Sequence, residues 1–162
     1  MTDIRVEIQG LKEAQAKMEQ VARDVHGSPM VDAMKKATML VDADAKRNTP
    51  VDTGRLRASI MPEVRVTGVF NTTVQGVVGS NVIYAPYVEM GTGPAIGNPS
   101  YSPPEANVAG WAHRHGVSAY SVVQAIRRKG TKAHKYLERA LEKNAPEIYR
   151  LLSGALEKIA DK

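Results

Sequence analysis

Asn48-Thr49-Pro50-Val51-Asp52-Thr53-Gly54-Arg55-Leu56-Arg57-Ala58-Ser59-Ile60 is where a helical pattern stops and a β-rich one begins. Pro50 cannot continue a helix, and its ring pushes Thr49 out of the α region. Asp52, Thr53 and Gly54 form a turn cluster whose short oxygen-bearing side chains can bond nearby backbone N–H groups. Arg55 to Ile60 then reads as one helical turn, with Leu56 and Ile60 four apart on one face. Pro50, Asp52, Thr53, Gly54 and Leu56 are therefore expected to make a structural corner, with Gly54 supplying a backbone of positive φ.

Working outward, the side before the corner is helical. Val31, Met34, Thr38, Val41 and Ala45 recur at spacings of three and four, the stripe of an amphipathic helix facing a core. Gly27-Ser28-Pro29 starts that helix, with Ser28 as N-cap and Pro29 at its first position. Earlier still, Leu11, Ala14, Met18, Val21 and Val25 predict another helix, and the alternation of Ile4, Val6 and Ile8 predicts a short strand ended by Gly10.

After Pro62 the period becomes two. Val64, Val66 and Val69-Phe70 read as a strand, Asn71-Thr72-Thr73 as a turn, and Val74 to Val78 as the returning strand of a hairpin. Gly68 and Gly76 inside these strands suggest bulges or a close backbone approach. Gly79-Ser80-Asn81 is the next turn. Pro86 excludes a central strand and suits the first turn of a short helix, on which Tyr84, Tyr87 and Val88 share a face. Gly91 is expected to end it as a left-handed cap. From Pro94 to Pro104 the composition falls to small and turn-forming residues around Tyr101, the pattern of a long flexible loop. Helical patterning resumes at Glu105, stops at Gly116, restarts at Ser118 and closes at Gly130. Thr131 is expected to cap a last helix carrying Tyr136, Leu137, Ala140, Leu141, Ile148, Leu151, Leu152, Leu156 and Ile159, which Pro146 should kink or divide. The sum is an α+β fold in one domain, residues 1–162, in which several helices, a long C-terminal one among them, pack on a small antiparallel sheet.

Composition narrows the chemistry. There is no cysteine, which removes disulfides and thiolate chemistry. No apolar run approaches a membrane span and no signal-peptide core is present, so a cytosolic origin is expected. The excess of 22 basic over 17 acidic residues is mild. It allows nucleic-acid contact without requiring it. His113 and His115 lie two apart, so on a helix they diverge and cannot chelate together. Ser, His and Asp occur without a nucleophile elbow or triad context. Gly91-Thr92-Gly93 lacks the Gly-Lys-Ser/Thr ending of a phosphate loop. No enzymatic activity, metal or cofactor is expected. Val108 to Lys129 has the layout of a helix-turn-helix, but Arg127, Arg128 and Lys129 cluster at the end of its second helix rather than at the base-reading start. A small DNA-binding regulator is the alternative this segment supports.

Three stretches taken together resemble a phage family. Ala45-Lys46-Arg47-Asn48-Thr49-Pro50-Val51-Asp52-Thr53-Gly54-Arg55-Leu56-Arg57-Ala58-Ser59-Ile60 is similar to the hallmark "A-K-x-x-(A/T)-P-V-D-T-G-x-L-R-x-S-I" of the tail-completion, or neck, family of long-tailed phages. That family is typified by gene product ten of a lambda-like phage. Val78 to Gly93 (VGSNVIYAPYVEMGTG) resembles its second hallmark, "V-G-(S/T)-N-x-x-Y-A-x-x-x-E-x-G-T". Lys129 to Leu141 resembles its third, an aromatic-led start of the final helix, although the family more often has proline where this chain has Lys135.

The resemblance implies a structural virion protein of a tailed phage or prophage, built in the bacterial cytoplasm. Its role would be tail completion and head–tail joining through a ring, often hexameric, around the DNA channel. A tail terminator ring that stops tube growth is the close alternative. Implied partners are further copies of the chain, the tail tube protein and neck or connector proteins, with DNA in passage and no membrane. On this reading Tyr84, Tyr87, Glu89, Gly91, Thr92, Gly93 and Tyr101 make the assembly interface. Arg55, Arg57, Arg127, Arg128 and Lys129 are the candidates for contact with DNA or the channel lumen.

Overall fold

The computed structural model describes residues 28–67 and 73–160. The strand expected at Ile4–Ile8, the helix expected at Leu11–Val25, Gly68, Val69-Phe70 and the start of the hairpin turn lie outside the described residues. The fold is α+β. In chain order it has helix α1 (Ser28–Asn48), α2 (Arg55–Ser59), strands β1 (Ile60–Thr67) and β2 (Thr73–Ser80), α3 (Ala85–Met90), a 3-10 turn (Gly93–Ile96), α4 (Glu105–Arg114), α5 (Ala119–Lys129) and α6 (Tyr136–Ala160). The chain falls into two compact units, residues 1–38, 63–77 and 145–162 in one, and 39–62 and 78–144 in the other.

In the first unit, α1 presents small residues. Ala33, Ala37 and Thr38 are buried, while Val31 and Met34 are only half-buried. Thr38 of the expected stripe is buried, Ala33 and Ala37 widen it on one side, and β2 packs on it at Met34 and Thr38. A Cβ on Gly76 would stand 2.6 Å from Thr38 Cγ2 and 2.7 Å from Met34 Sδ, so the strand backbone lies directly against this face. The close approach anticipated for Gly76 is present. On α6, Ala155 and Ile159 are buried, whereas Leu156 is 52 % exposed.

β1 and β2 pair in one two-stranded sheet. Five residues connect them, which permits only an antiparallel hairpin. β1 begins at Ile60, two residues before Pro62, rather than after it. A two-stranded ribbon has only edge strands, so a proline without an N–H is tolerated there. β2 likewise runs through Gly79 and Ser80, which the sequence reading assigned to a turn.

The core of the second unit is Val41, Ala45, Leu56, Ile60, Val82, Ala85, Ala112, Val123, Tyr136 and Ala140. Tyr136 and Ile60 are its largest fully buried side chains. Leu141, next to buried Ala140 on the last helix, is 55 % exposed. The last helix starts at Tyr136, not at Thr131, and Pro146 does not divide it. One missing N–H among the bonds of a 25-residue helix is a local loss that the rest of the helix absorbs.

One buried charge sits in this unit. Asp44, 6 % exposed, accepts from Asn144 Nδ2 (2.7 Å), Lys143 Nζ (3.1 Å) and Arg47 Nη1 (2.9 Å). The Asn144 bond, then Lys143, outweigh burial and hold the carboxyl at about 2. A carboxyl depressed on folding stabilises the protein above its unfolded value of about 4, and that gain is lost as pH falls toward the folded value. Asp44→Asn should therefore lower the unfolding midpoint at pH 7. The gap between variant and parent should close as pH falls from about 4 to about 2. A pH series of thermal melts on both proteins checks this.

Candidate functional site

The corner is held by contacts at both ends. Thr49 closes α1: its N–H and its hydroxyl both donate to the Ala45 carbonyl, at 2.9 and 2.6 Å. Pro50 then turns the chain, and Gly54 takes φ 79°, ψ −5°, the left-handed conformation expected of it. Leu56 and Ile60, 5 % and 0 % exposed, anchor α2 into the core. Asp52 does not make the local turn bond its position suggests. Its carboxylate instead pairs with the Arg114 guanidinium at the end of α4, 62 residues away. That pairing, ahead of the cost of desolvation, keeps Asp52 below the ordinary carboxylate range.

The end of α2 is joined to the start of the second stretch by a hydroxyl relay. Val82 N–H donates to Ser80 Oγ (3.1 Å), Ser80 and Ser59 hydroxyls share a bond of 2.7 Å, and Ser59 donates to the Leu56 carbonyl (2.7 Å). Each hydroxyl has one proton, so the donor order runs from Val82 through Ser80 and Ser59 to Leu56. α3 follows, with Pro86 in its first turn as expected. Gly91 ends it at φ 77° but ψ −174°, extended rather than left-handed helical. The turn therefore leads straight into a β-bridge.

That bridge is a clasp between the second stretch and the third. Thr92 and Thr131 exchange both backbone bonds, at 2.9 and 3.0 Å, and their hydroxyls meet at 2.8 Å. His134 N–H donates to the Val88 carbonyl (2.9 Å) and Lys135 N–H to the Glu89 carbonyl (3.0 Å). The Glu89 carboxylate then accepts the N–H groups of Leu137 and Glu138, each at 3.0 Å. These are orphan donors at the start of α6, where a negative charge also complements the helix dipole. Thr131, expected to cap this helix, is consumed by the bridge, and Glu89 caps it from 48 residues away. Glu89→Ala should cost about 2 kcal/mol, and Glu89→Gln about half as much, because one acceptor remains. Thermal melts of the two variants should rank in that order.

Two grooves lie beside the clasp. One, about 650 Å³, runs between Pro50–Leu56 and the α4 residues Asn107, Trp111 and Arg114. The other, about 560 Å³, is bordered by Tyr84, Tyr87, Tyr101, Val108 and Ile126. Arg55, Tyr84 and Asn107 line both. Tyr87 and Tyr101 stack with ring centroids 5.3 Å apart, which fixes the middle of the 94–104 loop against α3. Trp111 stacks on His115 at 4.1 Å.

The residues singled out from the sequence separate into two groups. Glu89, Gly91, Thr92 and Gly93 are built into the clasp. Tyr84 and Tyr87 are 41 % and 44 % exposed, alongside Ile83 at 87 % and Met90 at 61 %. Arg55, Arg57, Arg127, Arg128 and Lys129 are all exposed, Arg55 in the grooves and the last three on the final turn of α5. Sequence reasoning missed Arg114, Ser59, Ser80 and Thr131 as partners.

Chemically the site offers shape, hydroxyls and cations. Asp52 is displaced downward, and Tyr101 is displaced upward by burial and by Tyr87. Both move away from neutrality, where a general acid or base would need to titrate. Among the described residues no group of three or more His, Asp or Glu side chains is placed to hold a metal ion, and no helix is long and apolar enough to cross a membrane.

Residues 12–91 match the HK97-gp10-like family, described as "Bacteriophage HK97-gp10, putative tail-component". The match takes in the corner and the second stretch as far as Gly91, and stops before the third. No curated protein and no solved structure matches the chain.

Proposed function

We propose that this chain, whose residues 12–91 are those of a phage tail-component family, is a structural protein of tail completion and head–tail joining. The whole of residues 1–162 acts as one protomer of a ring, hexameric as in related neck proteins, surrounding the channel through which DNA passes. It carries out no reaction. Its neighbours are further copies of itself, the tail tube protein and a neck or connector protein, and it resides in the virion.

The observation that carries this reading is the convergence of the three family-like stretches. The Ser59–Ser80 relay joins the first to the second, and the Thr92–Thr131 bridge joins the second to the third. Residues 21 and 39 apart in sequence are thereby locked together around exposed aromatic and aliphatic side chains. Such locking serves recognition geometry rather than catalysis. Tyr84 and Tyr87, with Ile83 and Met90, supply the apolar and amphipathic surface that interfaces favour. Glu89, Gly91, Thr92 and Gly93 set the angle at which that surface is presented, and Tyr101 buttresses it.

Mass photometry and light scattering over rising concentration test the ring, and particle counts from a phage lacking the gene test the role. Discrete oligomers, and mutant lysates rich in unjoined heads and tails, are the expected results. A strict monomer that binds one duplex sequence tightly at physiological salt would point to a DNA-binding regulator instead.

A further inference from the structure

The 32 residues from Ala106 to Leu137 contain no Asp or Glu, although the chain holds 17. Over the same span lie Arg114, Arg127, Arg128, Lys129, Lys132 and Lys135. Arg114 is paired with Asp52, and Lys135 with Glu138 at 2.8 Å. Among the described residues Arg127, Arg128, Lys129 and Lys132 make no ion pair, and all four are exposed. A cation at a helix C-terminus is ordinarily explained by the helix dipole. One side chain suffices for that. Three in succession, with a fourth beyond the Gly130 cap, gather more positive charge than a half-unit dipole attracts.

Geometry extends the patch. Ile126 and Thr131, which flank the run, line the 560 Å³ groove together with Arg55 from the corner. No acidic side chain lines that groove. Arg55 thus lines a groove that also holds Ile126 and Thr131, the residues on either side of the cationic run in sequence, and no acidic side chain in that lining offsets its charge.

We infer that Arg55, Arg127, Arg128, Lys129 and Lys132 form a contact for the phosphate backbone of duplex DNA. This adds a partner to the proposed place in the neck, where DNA passes, and rests on that reading only for its biological setting. The contact is to phosphates, not bases. Base reading by a helix pair uses the start of the second helix, and Ser118, Ala119 and Tyr120 there carry no cation. Nor does the groove suit single strands, which bind by stacking bases on free aromatic faces. Tyr87 and Tyr101 already stack on each other.

The test uses the full chain and a fluorescently labelled random duplex of about 30 base pairs, followed by anisotropy across a salt series. Phosphate contacts release counterions, so log affinity should fall linearly with log salt, with a slope of about −3.6 to −4.5 for four or five contacts. Arg128→Glu/Lys129→Glu should weaken binding at least tenfold at low salt and flatten the slope, with far-UV circular dichroism unchanged. Lys36→Glu/Lys158→Glu makes the same change in net charge at residues outside the proposed contact and should leave affinity within about threefold, since the contact is local to the named side chains. The milder Arg128→Gln/Lys129→Gln should fall between. Equal losses in the two reversal variants, a slope near zero, or absence of binding by the parent protein would each overturn the inference. None of those results would bear on whether the chain forms rings, which light scattering on the same samples reads separately.

Discussion

Gly130→Ala is expected to lower the unfolding midpoint by roughly 10 °C, because two costs fall on one residue. Gly130 sits at φ 73°, ψ −174°, a region essentially confined to glycine, where another residue is strained by about 1–3 kcal/mol. A Cβ there would also lie 2.1 Å from the Thr92 carbonyl oxygen and 2.7 Å from the Ala95 amide nitrogen. Both are backbone atoms, so no side-chain rotation relieves the clash. Opening the Thr92–Thr131 bridge by even a few tenths of an ångström loosens its paired bonds. Together these give about 3–5 kcal/mol, against a typical domain stability of 5–15 kcal/mol. Gly116→Ala is the control. Gly116 also has positive φ, 67°, but nothing lies within 4 Å of its would-be Cβ. It should cost only about 1 kcal/mol of backbone strain. Calorimetry on both variants reads the difference. If Gly130→Ala melts within about 2 °C of Gly116→Ala, the bridge is not the tight joint its geometry describes.

The clasp also marks where sequence reading stops. Local chemistry was readable: Thr49-Pro50 ends α1, Gly54 turns, Pro86 opens α3, and Gly116 and Gly130 close α4 and α5. Each of these is decided within a few residues by φ preference or by a missing donor. What escaped was every partner far away in the chain. Asp52 looks like a turn residue until Arg114 is seen beside it, and nothing near Glu89 in sequence marks it as the cap of α6. Thr131 was a reasonable N-cap for α6, but its oxygen and its backbone were already committed to Thr92. Periodicity failed in a related way. It identifies the apolar residues of α6 without saying which of them are covered, and Leu141 and Leu156 are exposed. On α1 the expected stripe is buried at Thr38, Val41 and Ala45, and what its period leaves out is the flanking pair Ala33 and Ala37.

A proline at 135 should destabilise the protein by about 3 kcal/mol or more, although the resembling family more often carries one before its aromatic residue. Lys135 adopts φ 51°, the described non-glycine residue with positive φ. Its N–H donates to the Glu89 carbonyl at 3.0 Å, and its own carbonyl accepts the Arg139 N–H at 3.0 Å, the first bonds of α6. Proline has no N–H and is fixed near φ −65°, so it can satisfy neither the angle nor the donation. Rotating the residue out of that angle would also draw Leu137 and Glu138 away from the Glu89 carboxylate, exposing donors that are now capped. Lys135→Gly should act in the opposite sense. It relieves about 1 kcal/mol of left-handed strain, offset in part by the greater freedom of glycine in the unfolded chain. The lost Lys135–Glu138 pair is solvent-exposed and worth little. Melts of the two variants should therefore fall on either side of the parent or, for glycine, level with it. A Lys135→Pro protein as stable as its parent would mean that α6 can be entered by a different backbone path. The Glu89 cap would then be one of two ways this chain can start its last helix, and the angle of the Tyr84–Tyr87 surface would not depend on it.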